Sequence, residues 1–297
     1  MLKVPGERQR MATALGLSPM TLTRWATGES NPQRSHLIRL VQVIQLQYRE
    51  ELLEGLEAAY PDFQSWLKDD SSEHIPSEFF AQLLDIRTTT TETLRFWRIS
   101  DLILKQVLAQ LDPNQLGMSI TLVQCMPPSL THGNKVRSLR ERVGKGTYPW
   151  AADLEHLALL LGMESLGGYA VEARHIVNID DLGKEKLLPA YQTEYEVSAA
   201  AHPIMLGGRV AGCLSASSTQ PAYFTQSRQA LLAAFSDLAS LAFEKDEFYP
   251  PDIIELKVMP KPASHQRVRM SNLEAEQKAW RELEEELLDL PDEAYVQ

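Results

Sequence analysis

The sequence predicts an α+β protein: a small all-α head, then an antiparallel sheet with helices on both faces, and a C-terminal helix. Apolar residues recur at helical intervals in residues 8–60 and in two long segments, 77–111 and 224–247. Apolar and β-branched runs typical of strands lie between those long segments, the clearest at 118–125 and 198–215. This order of segments favours one antiparallel sheet, with the two long helices packed together on one face and an irregular middle over the other.

Composition limits the classes of protein to which the chain can belong. Of its 297 residues, 44% are hydrophobic and 23% charged, as in soluble globular proteins, which excludes wholesale disorder. No apolar run approaches the roughly 18 residues of a membrane span, and the first residues lack the apolar core of a secretory signal. The two cysteines, Cys125 and Cys213, are too few for a disulfide framework or a four-cysteine zinc site. We therefore expect a cytoplasmic protein that contacts no membrane.

Charge is distributed unevenly along the chain. The formal net charge is −11, yet residues 1–49 carry seven basic and two acidic side chains, a charge of +5, which leaves −16 for the rest. A basic head on an acidic body concentrates affinity for polyanions at one end of the molecule. The head is therefore the expected place for contact with nucleic acid.

The basic head contains a pattern for two short helices joined by a tight turn. Gly16 can adopt the left-handed conformation that ends the first helix. Ser18 is a favourable cap for the second helix, and Pro19 suits its first turn, where no backbone donor is needed. Leu22 and Trp25 are three residues apart, so both face the inside. Two helices joined in this way are typical of a DNA-reading unit.

This pattern resembles the xenobiotic-response-element (lambda-repressor-like) helix-turn-helix family over about the first 45 residues. The resemblance is carried by Ala14-Leu15-Gly16-Leu17-Ser18, Thr21-Leu22-Thr23-Arg24-Trp25 and Gly28-Glu29-Ser30-Asn31-Pro32. It implies that the second helix enters the major groove of double-stranded DNA. The implied contacts are Pro19, Met20, Thr23 and Arg24 at base edges, Thr21 and Thr27 near the backbone, and Arg8, Arg10, Ser18 and Asn31 at phosphates.

The head departs from this family at its start. Family members have a further helix before the one that we place at 8–15, whereas here few residues precede it and Pro5-Gly6 is expected to interrupt a helix. Part of the small core must then come from elsewhere. Residues from Tyr48 onward and a partner chain are the two candidates.

The rest of the chain divides at polar and proline-rich stretches. We place the head at 1–60, a linker at 61–77, the body at 78–249, an extended linker at 250–270, and an acidic helix and tail at 271–297. Within the body, the threonine run at 88–91 is expected to bend or break the first long helix. Gly207-Gly208 between two apolar runs predicts a β-hairpin. The other predicted elements are short helices at 153–161 and 165–172, a strand at 176–179 and a long helix at 225–247.

The body resembles a GAF domain over residues 78–247. The residues that carry this resemblance lie at 162–172, 176–181, 198–204, 208–215 and 224–243. It implies a module that binds a small molecule between the sheet and the middle helices, or that dimerises. The implied pocket residues are Trp150, His156, Glu164, Ser165, Tyr169, Asp180, His202, Cys213 and Ser215. Each has a structural alternative, such as a place in the core for Trp150, Tyr169 and Cys213, a buried or edge position for His202, and a helix or turn cap for Asp180.

The motifs of common enzymes are missing from the sequence. No His-x-x-x-His or His-Glu-x-x-His spacing occurs, so no helical zinc site is predicted. Neither the Gly-x-Ser-x-Gly elbow nor a complete phosphate-binding loop is present. The reductases of the GAF fold need clustered redox cysteines, whereas Cys125 and Cys213 lie apart in predicted strands. We therefore expect no catalysis, and the sequence identifies no cofactor.

These observations combine into one functional hypothesis with two alternatives. We expect a transcription regulator whose head binds double-stranded DNA and whose GAF-like body senses a small-molecule effector, dimerises, or does both. A homodimer is expected because two heads at fixed spacing are needed for DNA sites one helical turn apart, with helices 77–111 and 224–247 as the dimer bundle. The alternatives are a protein-interaction adaptor and a redox sensor that uses Cys125 or Cys213.

Overall fold

The computed structural model describes residues 5–44, 48–63, 66, 74–154, 160–184, 194–259, 281–285 and 288. The chain forms two compact units, one of residues 1–71 with 113–116 and one of residues 72–112 with 117–297. Within the described ranges, no helix combines the length and the apolar character needed to span a membrane.

The smaller unit is helical. Its helices are α1 (Pro5–Leu15), α2 (Pro19–Ala26), α3 (Arg34–Val43) and α4 (Arg49–Ala59). The expectation that Pro5-Gly6 interrupts the first helix is wrong, because α1 begins at Pro5, where proline's missing N–H costs nothing. Leu56 and Phe63 are buried, and both belong to the segment after Tyr48 that was a candidate to complete the core.

The turn between α1 and α2 forms as the sequence predicts. Gly16 has a φ of +68°, in the left-handed region that favours glycine. The Oγ of Ser18 accepts a hydrogen bond from the backbone N of Thr21 at 3.2 Å, and Pro19 occupies the first turn of α2. Leu22 is buried against Met11, with the rest of the small core around them.

The larger unit is built on one antiparallel sheet. Its described strands lie in the order β3-β2-β1-β6-β5-β4. Their bounds are β1 Met118–Cys125, β2 Leu139–Gly146, β3 Leu160–Leu161, β4 Val177–Ile179, β5 Ser198–Leu206 and β6 Arg209–Ser218. The predicted hairpin is confirmed, since β5 and β6 pair and both Gly207 and Gly208 have positive φ. The α+β fold class is therefore confirmed.

Helices cover both faces of this sheet. On one face lie α5 (Ser77–Thr89), α6 (Glu92–Leu111) and α8 (Gln226–Ala239), and α6 packs against both α8 and the sheet. The predicted break between the first two is confirmed at Thr90 and Thr91. On the other face, the helix predicted at 165–172 is confirmed as α7 (Leu166–Ala173), which packs against β5 and β6 and is capped by Ser165.

Three predicted elements differ in the structure. The middle that was expected to be irregular contains strand β2. The sequence did not predict this strand because its charged side chains hide the apolar alternation that marks strands. The predicted helix at 153–161 is wrong at its end, where Leu160–Leu161 pairs with β2, and residues 155–159 lie outside the described ranges. The last long helix ends at Ala239 and gives way to 3₁₀ turns at Ser240–Ala242 and Lys245–Glu247.

Candidate functional sites on the helical unit and on the two faces of the sheet

The first candidate site is the outer surface of α2. Met20 is 68% exposed, and Arg24 and Thr27 are exposed as well. Below them Leu22 is buried, while Trp25 is half-buried with its ring 5.5 Å from that of His36. Apolar packing therefore holds the inner side of α2, and the cationic side chain of Arg24 is exposed on the outer side.

The other residues implied in DNA contact have different surroundings. Pro19, Thr21 and Thr23 are half-buried, and Asn31 is exposed after α2. Arg8 donates to the Oγ1 of Thr23 at 3.4 Å, and Arg10 donates to the carbonyl oxygen of Val43 at 3.3 Å. Both arginines therefore also hold parts of the helical unit together, and Ser18 is engaged as the cap of α2.

The second candidate site is the face of the sheet below α7. Val123 of β1 pairs with Glu141 of β2 on one side and with Cys213 of β6 on the other. Because directly paired residues point to the same face of a sheet, these three form a row across it. Val123 and Cys213 pack in one apolar cluster with Val171 of α7. Thr121 and Ser215, which pair with each other one step along the strands, continue this face as hydroxyl groups.

Glu141 is the charged member of this row, and the sequence analysis did not identify it. Burial, together with the nearby charge of Glu196, raises the pKa of its carboxyl to about 7. Burial also raises the pKa of the Cys213 thiol to about 12, with a contribution from the charge of Glu141. The pKa of Cys125 lies well above its ordinary value for the same reason. Both thiols are therefore protonated near neutral pH, and Glu141 is poised to change charge there.

Only some of the implied pocket residues lie on this face. Cys213 and Ser215 do, and Trp150 lies over it, since a Cβ on Gly146 would come within 2.6 Å of the Trp150 Cβ. The Trp150 ring meets that of Tyr195 edge-on at 6.1 Å. Tyr169 is exposed, so it is not held inside a pocket.

Two implied pocket residues hold the backbone instead. The Glu164 carboxylate accepts hydrogen bonds from the backbone N of Gly162 and of Met259, both at 2.8 Å. Ser165 accepts from the N of Gly168 at 2.9 Å and so caps α7. Burial raises the pKa of Glu164, against the effect of those hydrogen bonds. Both side chains are thereby committed to the loop before α7.

The remaining implied pocket residues lie elsewhere. His202 pairs with Leu214 and not with Cys213, so it points to the opposite face of the sheet, where Asp237 of α8 acts on it. Burial lowers the pKa of its imidazole. Asp180 is exposed and accepts a hydrogen bond from the Nδ2 of Asn178 at 2.8 Å. His156 lies outside the described ranges.

The third candidate site is a cavity of about 830 Å³ on the opposite face of the sheet. It is lined by the start of α6, the adjoining ends of β1 and β2, and the chain after α8. Arg140 and Arg142 of β2 line it together with Gln124 of β1. The sequence signal for this site was the pair of arginines at alternate positions in β2, which the analysis left unassigned.

Comparison with known proteins identifies the family of part of the larger unit. The structure is similar to that of the type II free methionine-R-sulfoxide reductase from Thermoplasma acidophilum, with a TM-score of 0.37 and 17% identity over 54% of this chain and 98% of that chain. It is similar to the GAF domain of Acinetobacter phosphoenolpyruvate-protein phosphotransferase, with a TM-score of 0.38 and 18% identity over 57% and 93% of the two chains. No curated protein matches the sequence. Residues 101–243 match the family model described as GAF domain, and this part of the chain is a GAF domain.

Proposed function

We propose that the protein is a transcription regulator in which a helix-turn-helix head binds double-stranded DNA and the GAF domain senses a small molecule and holds two copies together. The outer surface of α2 carries this proposal. Arg24 is exposed there on a helix whose inner side is fixed by Leu22 and whose start is fixed by the Ser18 cap. A rigid short helix with an exposed arginine is suited to reading guanine in the major groove.

Charge supports the assignment of the DNA-binding surface to the head. The first 49 residues carry +5, four glutamates at 50–57 lower the charge of the head at 1–60 to +1, and the rest of the chain carries −12. Attraction to phosphates then acts on the head and is opposed elsewhere, which orients the protein on the duplex. Arg8 and Arg10 are the proposed phosphate contacts; the bond of Arg8 to Thr23 keeps it beside α2, and the bond of Arg10 to Val43 keeps it beside the end of α3.

The face below α7 is the proposed sensor site. It combines the hydroxyl groups of Thr121 and Ser215 with the carboxyl of Glu141 and the ring of Trp150. A few polar groups on an apolar wall are typical of sites that orient a small ligand. A ligand that binds one packing of the GAF domain more tightly than another shifts the equilibrium towards that packing. The resulting change in DNA affinity cannot exceed the ratio of the ligand's affinities for the two packings.

The GAF domain is also the proposed dimerisation module. Phe80 and Leu84 lie one helical turn apart on α5 and are 40% and 56% exposed, and Leu94 of α6 is 57% exposed. Exposed apolar side chains at helical spacing are typical of helices that pack against a second copy. A dimer built there presents two heads to two half-sites on DNA.

The buried thiols support a non-catalytic and non-redox role for the GAF domain. Cys125 and Cys213 are both buried, and the raised pKa of each thiol keeps the nucleophilic thiolate scarce. An oxidant response should therefore be unchanged when both are replaced by serine.

We expect Arg24→Ala to lower the preference for a specific DNA site by a factor of about ten to a hundred, since a guanine contact contributes about 1–3 kcal/mol of discrimination. The measurement is fluorescence anisotropy with a duplex selected from a random library and with a scrambled duplex, at several salt concentrations. Arg10→Ala should instead weaken both duplexes alike. Arg209→Ala, an exposed arginine in the β5–β6 turn, is the matched control and should change neither. Salt-independent binding, or no effect of Arg24→Ala and Arg10→Ala, would favour the adaptor.

We expect Leu84→Glu to convert the dimer into monomers, because a charge at the centre of an apolar interface is left without water. Analytical ultracentrifugation measures the mass, and anisotropy measures the accompanying loss of affinity for a two-half-site duplex. Leu130→Glu is the control, because Leu130 is 87% exposed and lies outside α5 and α6. An unchanged mass for Leu84→Glu would place the interface elsewhere.

A further inference from the structure

The cavity lies on the face of the sheet that α6 and α8 cover, whereas the proposed sensor site lies on the face that α7 covers. Gln124 lines it, and Gln124 alternates along β1 with Val123, which points to the α7 face. The first turns of α6 contribute Phe96 and Trp97, and the turn after α8 contributes Glu247. At about 830 Å³ the cavity has the size of sites that hold small organic molecules.

Two arginines of β2, one of them beside a β-bulge, point into this cavity. Along β1 and β2, Leu122 pairs with Val143 and Val123 pairs with Glu141, so Arg142 is the extra residue. A bulge re-aims the side chain at the extra position. Arg140, which pairs with Gln124, points to the same side and is only 8% exposed. Burial of a guanidinium is costly unless its charge is matched, so a buried arginine indicates a position with a specific role.

The two arginines converge on a neutral acceptor. The Oε1 of Gln124 accepts hydrogen bonds from Arg140 at 3.1 Å and from Arg142 at 3.0 Å, while its Nε2 donates to Glu247 at 2.7 Å. The guanidinium carbon of Arg142 lies 3.5 Å from the centre of the Phe96 ring. Stacking fixes the plane of that guanidinium, so its donors are pre-oriented.

A second pair of arginines binds Glu244, and both Glu244 and Arg87 of this pair line the cavity. Arg87 and Arg95 both bind the carboxylate of Glu244, the former at 2.7 Å. Arg142 also contacts the carboxylate of Glu247 at 3.4 Å, and Arg140 is linked to Glu247 through Gln124. The described side chains that line the cavity are five cationic ones (Arg87, Arg140, Arg142, Lys245 and Arg281) and four anionic ones (Glu92, Glu244, Asp246 and Glu247). The lining is therefore net positive by one charge in a chain that is acidic as a whole, which favours an anionic ligand.

We infer that this cavity binds a small molecule that carries a carboxylate or phosphate group on a planar apolar body. Guanidinium groups pair with both oxyanions through two parallel hydrogen bonds, which Arg140 and Arg142 are placed to form. Trp97, which is half-buried beside them, provides apolar surface on which a ring packs face-on or edge-on. The site is separate from the proposed sensor face, and the inference stands without it.

The test is calorimetric titration of the full-length protein with benzoate, with phenyl phosphate and with benzyl alcohol. We expect benzoate, phenyl phosphate or both to bind at millimolar concentration and benzyl alcohol to bind at least tenfold more weakly, because it lacks the anion. The stronger of the two anions identifies the oxyanion that the site prefers. Because the chain has five tryptophans, the fluorescence change on titration that is lost in Trp97→Phe provides the second readout at this site. Failure of both anions to bind, or equal binding of the alcohol, would overturn the inference.

Matched variants connect the binding to these residues. Arg142→Met should weaken anion binding by about tenfold or more, and Arg142→Lys should recover only part of it, since lysine keeps the charge but loses the fork. Lys245→Met, at an exposed residue that lines the cavity, leaves the core untouched and should weaken binding by a few fold. Arg209→Met is the control away from the cavity. Anion binding that is the same in all four variants would show that the cavity is not the site.

Discussion

Gly212→Ala is expected to prevent the GAF domain from folding. The new methyl group would lie 1.9 Å from the carbonyl oxygen of Val123 and 2.8 Å from the Cα of Gln124. Both are backbone atoms of the neighbouring strand β1, which pairs with Gly212, so no side chain can turn away to make room. We expect a loss of more than about 4 kcal/mol, which is comparable to the whole stability of a typical domain. Soluble yield and urea unfolding followed by circular dichroism measure the effect.

Gly207→Ala is the matched control for this prediction. Gly207 lies in the hairpin turn between the same two strands with a φ of +58°, and nothing lies within 4 Å of the position of a Cβ. The cost is then only that of the left-handed backbone, about 1–2 kcal/mol. A folded Gly212→Ala protein with a stability similar to that of Gly207→Ala would show that β1 and β6 are not packed as described.

Glu141→Gln is expected to stabilise the GAF domain by about 3 kcal/mol at about pH 8 and to leave it nearly unchanged at about pH 4. The pKa of Glu141 is about 7 in the folded protein, above its ordinary value in an unfolded chain. A raised folded-state pKa means that the folded protein binds the proton more tightly, so the stability from protonated Glu141 is complete below the unfolded pKa. It is lost as the pH rises through 7. Glutamine removes this loss because it stays neutral.

Urea unfolding of wild type and variants between about pH 4 and pH 8 tests this prediction. Glu196→Gln should reduce the slope in part, because the charge of Glu196 contributes to the raised pKa of Glu141. Glu172→Gln, at an exposed residue of α7, makes the same charge change and should leave the slope as it is. An identical slope in Glu141→Gln and wild type would mean that Glu141 is ionised at ordinary pH and lies in water.

Local features of the sequence predicted much of the fold. Gly207-Gly208 supplies the backbone conformation of a tight hairpin, and that hairpin forms. Ser18 caps the helix that it was expected to cap, and the short helix predicted at 165–172 forms as α7. In each case the determining interaction lies within a few residues of the chain, so the identity of those residues suffices.

The positions of the candidate site residues could not be predicted in the same way. Residues 199–201 are all alanine and carry no alternation, so the sequence does not show which neighbours face α7 and which face α8. His202 was expected in the pocket and points to the α8 face, whereas Glu141, on the α7 face, was missed. The direction of these side chains depends on the register of the strands beside them.

The sequence by itself determined the α+β class, the order of the principal helices and strands and the hairpin, because periodicity, caps and turn residues act over short distances along the chain. Only the tertiary structure decided which side chains share a face and which charges are buried. Arg140 and Arg142 meet Gln124 because the register pairs β2 with β1 so that Gln124 lies opposite Arg140, and Glu141 has a pKa of about 7 because burial and Glu196 act on it together. These effects depend on contacts between residues that are distant in sequence, which no local pattern records.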